Sequence, residues 1–384
     1  MKKKLFVILI SLITMVLVVG FNHNDKQDVI INNGVKYAIK LNGEKTNNFP
    51  PQGKYNVIVN CNHANAKWDY DAWKLHVYNI SEGATCDISF TKMDNYPLFN
   101  DKIISLQGNG QVFNEKGYRY EGKEVDNYVL FNNELWRIIG VLNTTIPNVG
   151  NQNLVKIIRS ESIGSLLWDK NDSSDWGNNN KATLRHLLNR VYLDYENHQG
   201  EIANYCYGGY YSTAPGAQAN CNYEEIGIKQ KYREMIENVT WYLGTIAAND
   251  GTKTADEFYE AERSNTKSKN NKSSWNGKIG LMYASDYGFS ARENPRTCID
   301  KFDYYHVASK SWLYGQGEEW LITHCMGNMY YLKDNEVYSV DDDGVLIGTQ
   351  VSNGIAVRPT LYLKSNVYTK GGDGTLENPY VIGI

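Results

Sequence analysis

Three residues in the last quarter of the chain are of the types needed for covalent catalysis. Cys325, in LITHC, supplies a thiol. His306, in YYHVAS, supplies an imidazole base, and Arg358, in VRPTLYLKS, a fixed cation. Brought together, a thiolate, its base and an oxyanion donor make a transpeptidase-type centre. The competing reading pairs Cys325 with Cys298 as a disulfide and leaves Arg358 structural. Other enzyme signatures are missing: the chain has no HExxH, GxSxG, phosphate loop or dinucleotide glycine pattern.

Ligand and metal chemistry has its own candidates. Asp341 and Asp343, in SVDDDGVLIG, offer carboxylate oxygens to calcium, without the spacing or terminal glutamate of an EF-hand loop. A solvated hairpin turn explains the same residues, and Asp373 in GGDGTLENPY reads likewise. Trp312, Tyr314 and Trp320, in SWLYGQGEEW, are candidates for stacking against a ligand. Trp312, flanked by Ser311 and near Gly315 and Gly317, has the better claim to exposure, and Trp320 reads equally as core. Trp168 and Trp176 occupy a second polar loop.

These residues need a frame, and the chain's start says where it is built. MKKKLFVILISLITMVLVVGF places three lysines before an uncharged run from Leu5 to Phe21, the pattern of an export signal or membrane anchor over 1–24. The chain beyond that segment is then extracellular, either tethered to the membrane through it or secreted. All six cysteines lie in this exported part, as local pairs Cys61/Cys86, Cys206/Cys221 and Cys298/Cys325. Disulfides fit an exported chain, although six cysteines permit about 15 pairings. The net charge of −4 and the lack of a basic stripe argue against a nucleic-acid partner.

Alternating segments GVKYAIKLNG, GKYNVIVNC, WKLHVYN and ATCDISFTK predict a small β-sandwich over 29–93, with Val57, Val59, Leu75, Val77, Ile88 and Phe90 on its buried face. A short domain of this kind needs a covalent staple. A connector over 94–125 leads to a second domain over 126–384. This opens with a hairpin, YVLF and ELWRIIGVL around Asn132–Asn133. Helical periodicity then appears from Leu184 to Tyr195 and from Ile228 to Leu243, and Thr254 with Glu257 predicts a capped third helix. Strands return at GKIGLMYASDYG, EWLITHC, NMYYLK, EVYSV, VLIGTQV and GIAVRPTLYLKS. Strands, helices and strands again predict a mixed α+β domain.

In order, WRIIGV, LRHLLNRVY, KIGLMYASDYG, EWLI and VRPTLYLKS resemble an uncharacterised domain family of Firmicutes surface and secreted proteins. That family is similar to the C-type-lectin-like fold, which includes formylglycine-generating-enzyme domains. CNHANAKWDYDAWKLHVYN and CDISFT resemble a small β domain placed before it. The resemblance implies that the segment around Trp312 shapes a ligand face. It also implies that Arg358 lies mid-sheet beside an acid, for which Asp286 in SDYG is the candidate, with the missing donor of Pro359 at a bulge or edge. The function expected is non-catalytic recognition of glycans or surface proteins, without a required cofactor. The alternatives are a Cys-dependent enzyme, transpeptidase-like or formylglycine-generating-like, and a purely structural envelope component.

Overall fold

The computed structural model describes residues 16–17, 31–32, 34–53, 55–69, 73–92, 96–178, 183–205, 222–246, 253–266, 271–291, 297–299, 305–315, 317–325 and 335–384. Two compact units result, Met1–Pro97 and Leu98–Ile384. The boundary moves most of the expected connector into the second unit, where it supplies the helix Phe99–Ile104 and the strands Val112–Asn114 and Tyr118–Tyr120.

In the first unit, Val35–Leu41 pairs in parallel with Thr85–Lys92, which pairs antiparallel with Tyr55–Asn62. A second, three-stranded sheet carries Lys74–Tyr78 and Asn65–Asp69. Both sheets feed one core containing Val35, Ile39, Trp68, Leu75, Val77, Ile88 and Phe90. Val57 and Val59 are only half-buried, because their strand is the sheet's last on that side. The disulfide Cys61–Cys86 forms, and it joins directly opposed residues of neighbouring strands in one sheet.

The expected α+β class with an apolar N-terminal helix is overturned. Strands make up 43% of the chain against 17% helix, and the longest described helix, Ala255–Glu262, has 8 residues. Of the expected leader, only Val16–Leu17 is described, as a short strand against Val77 and His76. No described helix is long and apolar enough to cross a membrane.

The helical expectations fail for identifiable reasons. In the Ile228–Leu243 stretch only Gln230–Arg233 is α-helical. Beyond it, Ile236 bridges Leu363 and the Glu237 N–H donates to the Tyr362 carbonyl, so a neighbouring strand takes the backbone groups a helix would use. Val239–Tyr242 then pairs with Ser274–Gly277 and buries alternate residues. The Leu184–Tyr195 stripe is cut into Thr183–Asn189 and Tyr195–His198 by a turn. Conversely, KIGLMYASDYG is strand only at Ile279–Gly280 and becomes the helix Ala284–Ser290. NMYYLK lies outside the described residues.

Two larger sheets organise this unit. One has nine strands and runs through Thr360–Tyr362, Gly150–Arg159, Glu134–Ile146, Tyr128–Phe131 and Tyr380–Gly383. The other has six and runs through Ser165–Leu167, Gly354–Ala356, Glu319–Cys325, Glu336–Val340 and Leu346–Gln350. Thus the motif GIAVRPTLY is no single strand: Gly354–Ala356 belongs to one sheet and Thr360–Tyr362 to the other. Val357, Arg358 and Pro359 make the crossing. There neither ladder needs a backbone N–H from residue 359, which proline lacks, while the Pro359 carbonyl still accepts from the Arg159 N–H at 3.0 Å.

Candidate functional site

The crossing explains the arginine. Glu319 opens a strand that runs parallel to Gly354–Ala356, in register with Ala356, so its carboxylate stands beside the residues that leave the sheet. Arg358 Nε donates to Glu319 Oε1 at 2.8 Å, and Nη2 donates to Oε2 and to the Leu313 carbonyl, both at 2.6 Å. Both side chains are buried. Burial pushes the Glu319 carboxyl up, against the pull of Arg358. An acid does hold Arg358, but it is Glu319 and not Asp286.

Asp286 has a different task. It sits in the first turn of Ala284–Ser290, where Oδ2 accepts from the Tyr283 N–H at 3.0 Å. Arg119 Nη1 reaches Oδ1 at 2.8 Å and Lys156 Nζ reaches Oδ2 at 2.6 Å, all three side chains being buried. Burial pushes the Asp286 carboxyl up, but Lys156 and Arg119 more than reverse this and hold it well below the usual carboxylate range. Burial brings Lys156 down to about 8 despite Asp286. The rings of Tyr283, Trp241 and Tyr362 enclose the ammonium at 4.3, 5.1 and 5.3 Å. Nearby Glu262 accepts from Ser285 and Thr323. These ion networks are buried in the core.

The proposed catalytic set does not gain support from the geometry. Cys325 is 1% exposed, with its Sγ close against Gly348, where a thiolate would be desolvated and out of reach. Arg358 is already committed to Glu319. His306 lies on Tyr305–Lys310, with its side chain outside the described residues, as are Cys206, Cys221 and the side chain of Cys298.

The aromatic candidates correct in the same direction. Trp312 is 4% exposed and its Nε1 donates to the Tyr120 carbonyl at 2.8 Å. Trp320 is fully buried and donates to the Leu166 carbonyl, also at 2.8 Å. Trp168 and Trp176 pack together in the core at 5.0 Å. Only Tyr314 retains partial exposure, with its hydroxyl donating to the Asp342 carbonyl. The Asp341 carboxylate closes its own turn by accepting from the N–H groups of Asp343 and Val345 at 3.0 and 2.8 Å. Among the described residues no cluster of three metal-ligating side chains occurs.

A cavity of about 130 Å³ opens elsewhere, lined by Tyr195, Glu196, Gln199, Tyr223, Glu224 and Lys229, among others. Asn132 of the first hairpin turn braces two of its lining residues, Gly227 and Lys229. Its Nδ2 donates to the Gly227 carbonyl at 3.1 Å, and its Oδ1 accepts from the Lys229 N–H at 2.8 Å. That geometry depends on Asn132 and Asn133 adopting φ of 59° and 61°, which asparagine tolerates. The Lys229 ammonium is folded back onto the Glu224 and Glu225 carbonyls and Glu196 is paired with Arg233, leaving the Glu224 carboxylate, the Gln199 amide and the half-buried Tyr195 ring to face a ligand. The Tyr223 side chain is buried, and its hydroxyl has no hydrogen-bond partner among the described residues. Sequence reasoning placed Tyr195 and Ile228 on helix stripes and did not single out Tyr223 or Glu224. No local motif marks them, since the cavity arises where short helices meet a distant turn.

No protein-family model, curated protein or solved structure matches the chain.

Proposed function

We propose that this is an exported surface protein whose larger unit recognises a glycan or a segment of another surface protein, without catalysis. The observation that carries this reading is the cavity at Tyr195 and Tyr223. The Tyr195 ring offers a flat apolar face to a sugar ring, and Gln199 and Glu224 offer acceptors and a donor to its hydroxyls. The apolar leader, preceded by lysines, supports export, and the resemblance to Firmicutes surface domains supports a place at the cell exterior. The burial of Cys325 and the commitment of Arg358 to Glu319 favour recognition over the thiol-enzyme alternative.

The test is a binding screen of the full chain, without its leader, against glycans and cell-wall fragments. Gln199→Ala alters the exposed rim, and Tyr195→Ala removes a rim ring that also packs against the core, so each variant is first shown to fold. Selective binding lost in both variants supports the reading. Binding that survives both, or a folded protein that selects nothing, overturns it.

A further inference from the structure

Arg137 carries a charge that no side chain neutralises among the described residues. It projects from Glu134–Ile146 with its guanidinium between the rings of Tyr128 and Trp312, at 4.5 and 4.6 Å. Nε donates to Asn127 Oδ1 at 2.7 Å, while Nη2 and Nη1 make long bonds to the Val125 and Trp312 carbonyls at 3.3 and 3.4 Å. All three acceptors are neutral, and a guanidinium has five N–H donors, so two remain for an outside partner. Elsewhere Arg119, Arg159, Arg233 and Arg358 each meet a carboxylate. Arg185 does not, but it is tied to the Trp176 and Asn178 carbonyls at 2.6 and 3.0 Å and feels Asp175. Burial, partly offset by Tyr128 and reinforced by the like charge of Arg358, brings the Arg137 pKa down to about 10.

The surroundings define what fits. Leu135 and Arg137 are two apart on one strand and so share a sheet face. Leu130 lies opposite Leu135, Tyr128 opposite Arg137, and Val381 opposite Leu130 on the next strand. Leu130 and Val381 are 38% and 42% exposed. An apolar row therefore runs outward from a half-buried cation that lacks a counter-ion among the described residues.

We propose that this face binds a carboxylate with an apolar body, the carboxylate paired with Arg137 and the body laid along Leu135, Leu130 and Val381. A planar guanidinium with two open donors matches the two oxygens of a carboxylate. The site is separate from the Tyr223 cavity, so Tyr195→Ala leaves this binding unchanged and the two readings fail independently.

Calorimetric titration of the full chain, leader removed, with acetate, octanoate and 1-octanol tests it, together with an N-acetylated apolar tripeptide as free acid and as amide. The last pair separates a peptide terminus from an acyl chain as the source of the carboxylate. Octanoate or the free-acid peptide binds and its neutral counterpart does not. Arg137→Met weakens that binding roughly 10- to 100-fold, the range for a charge-assisted hydrogen bond. Arg137→Met also removes bonds that hold Val125 and Asn127, so Val381→Ser serves as a second variant that spares the core. It weakens octanoate and leaves acetate unchanged. Equal binding of acid and neutral forms, binding retained in folded Arg137→Met, or no binding of any carboxylate by the wild type overturns the proposal.

Discussion

Replacing Glu319 with Gln tests how the two sheets of the larger unit are joined. The substitution keeps the side chain's size and removes its charge, leaving Arg358 cationic with only neutral acceptors, the Leu313 carbonyl and the single amide oxygen of the new side chain. Arg137, the next cation, repels it. Both members of the pair are buried, so the remaining guanidinium cannot turn to water. Breaking one side of such a pair costs about 3–5 kcal/mol. For a unit of this size each kcal/mol moves the melting temperature by roughly 2–4 °C, so Glu319→Gln should melt on the order of 10 °C lower. The double variant Glu319→Leu/Arg358→Met removes both charges and refills the volume. It abandons the Leu313 carbonyl, at about 1–3 kcal/mol, and should therefore be more stable than the single variant. Thermal denaturation monitored by near-ultraviolet circular dichroism reads all three proteins. A shift below about 2 °C for Glu319→Gln, or a double variant less stable than the single one, would refute an uncompensated buried charge as the cause.

Three more outcomes rest on the packing. Because the Asp286 carboxyl is held below the usual range, its contribution is present above about pH 4 and is lost as the pH falls from there. The stability gap between wild type and Asp286→Asn, from urea midpoints, should thus narrow between about pH 5 and pH 2, and a constant gap would contradict the ion network. Reducing Cys61–Cys86, or replacing both residues with Ala, opens a loop with a sequence separation of 25 and should destabilise the first unit by about 3–4 kcal/mol. A chemical denaturation midpoint that does not move with reductant would show otherwise. Thr254→Ala removes the acceptor for the Glu257 N–H at 3.2 Å and should cost about 1 kcal/mol. Faster amide exchange confined to Ala255–Glu262 would localise that loss, while exchange unchanged there would mean the cap contributes nothing.

Legible in the sequence was whatever local chemistry decides. Asn132–Asn133 announces a turn because two consecutive asparagines accept positive φ, and the turn is there. Thr254 and Glu257 announce a capping box, and both of its hydrogen bonds form. Structure departs from expectation where a distant partner decides. Ile228–Leu243 has helical spacing, yet Tyr362 and Leu363 claim the backbone at Ile236 and Glu237, more than a hundred residues away in sequence. Trp312 stands among glycines and serines, the usual mark of exposure, but its indole N–H reaches the carbonyl of Tyr120. Asp286 and Glu319 are both acids that the sequence could offer to Arg358, and only the parallel register of Glu319 with Ala356 selects between them. The Tyr223 cavity has no signal at all, since its walls come from separate short helices that a distant hairpin turn braces.

The crossing at Val357–Pro359 has a mechanical consequence. Gly354–Ala356 and Thr360–Tyr362 are both interior strands, each flanked on two sides by neighbours in its own sheet. Only three residues separate them, too few to absorb slack. Tension on either sheet is passed to the other through a taut tether whose midpoint is clamped by Glu319. A link this short couples the opening of one sheet to that of the other, and the expected outcome is a single cooperative transition for the larger unit across its two hydrogen-bond ladders.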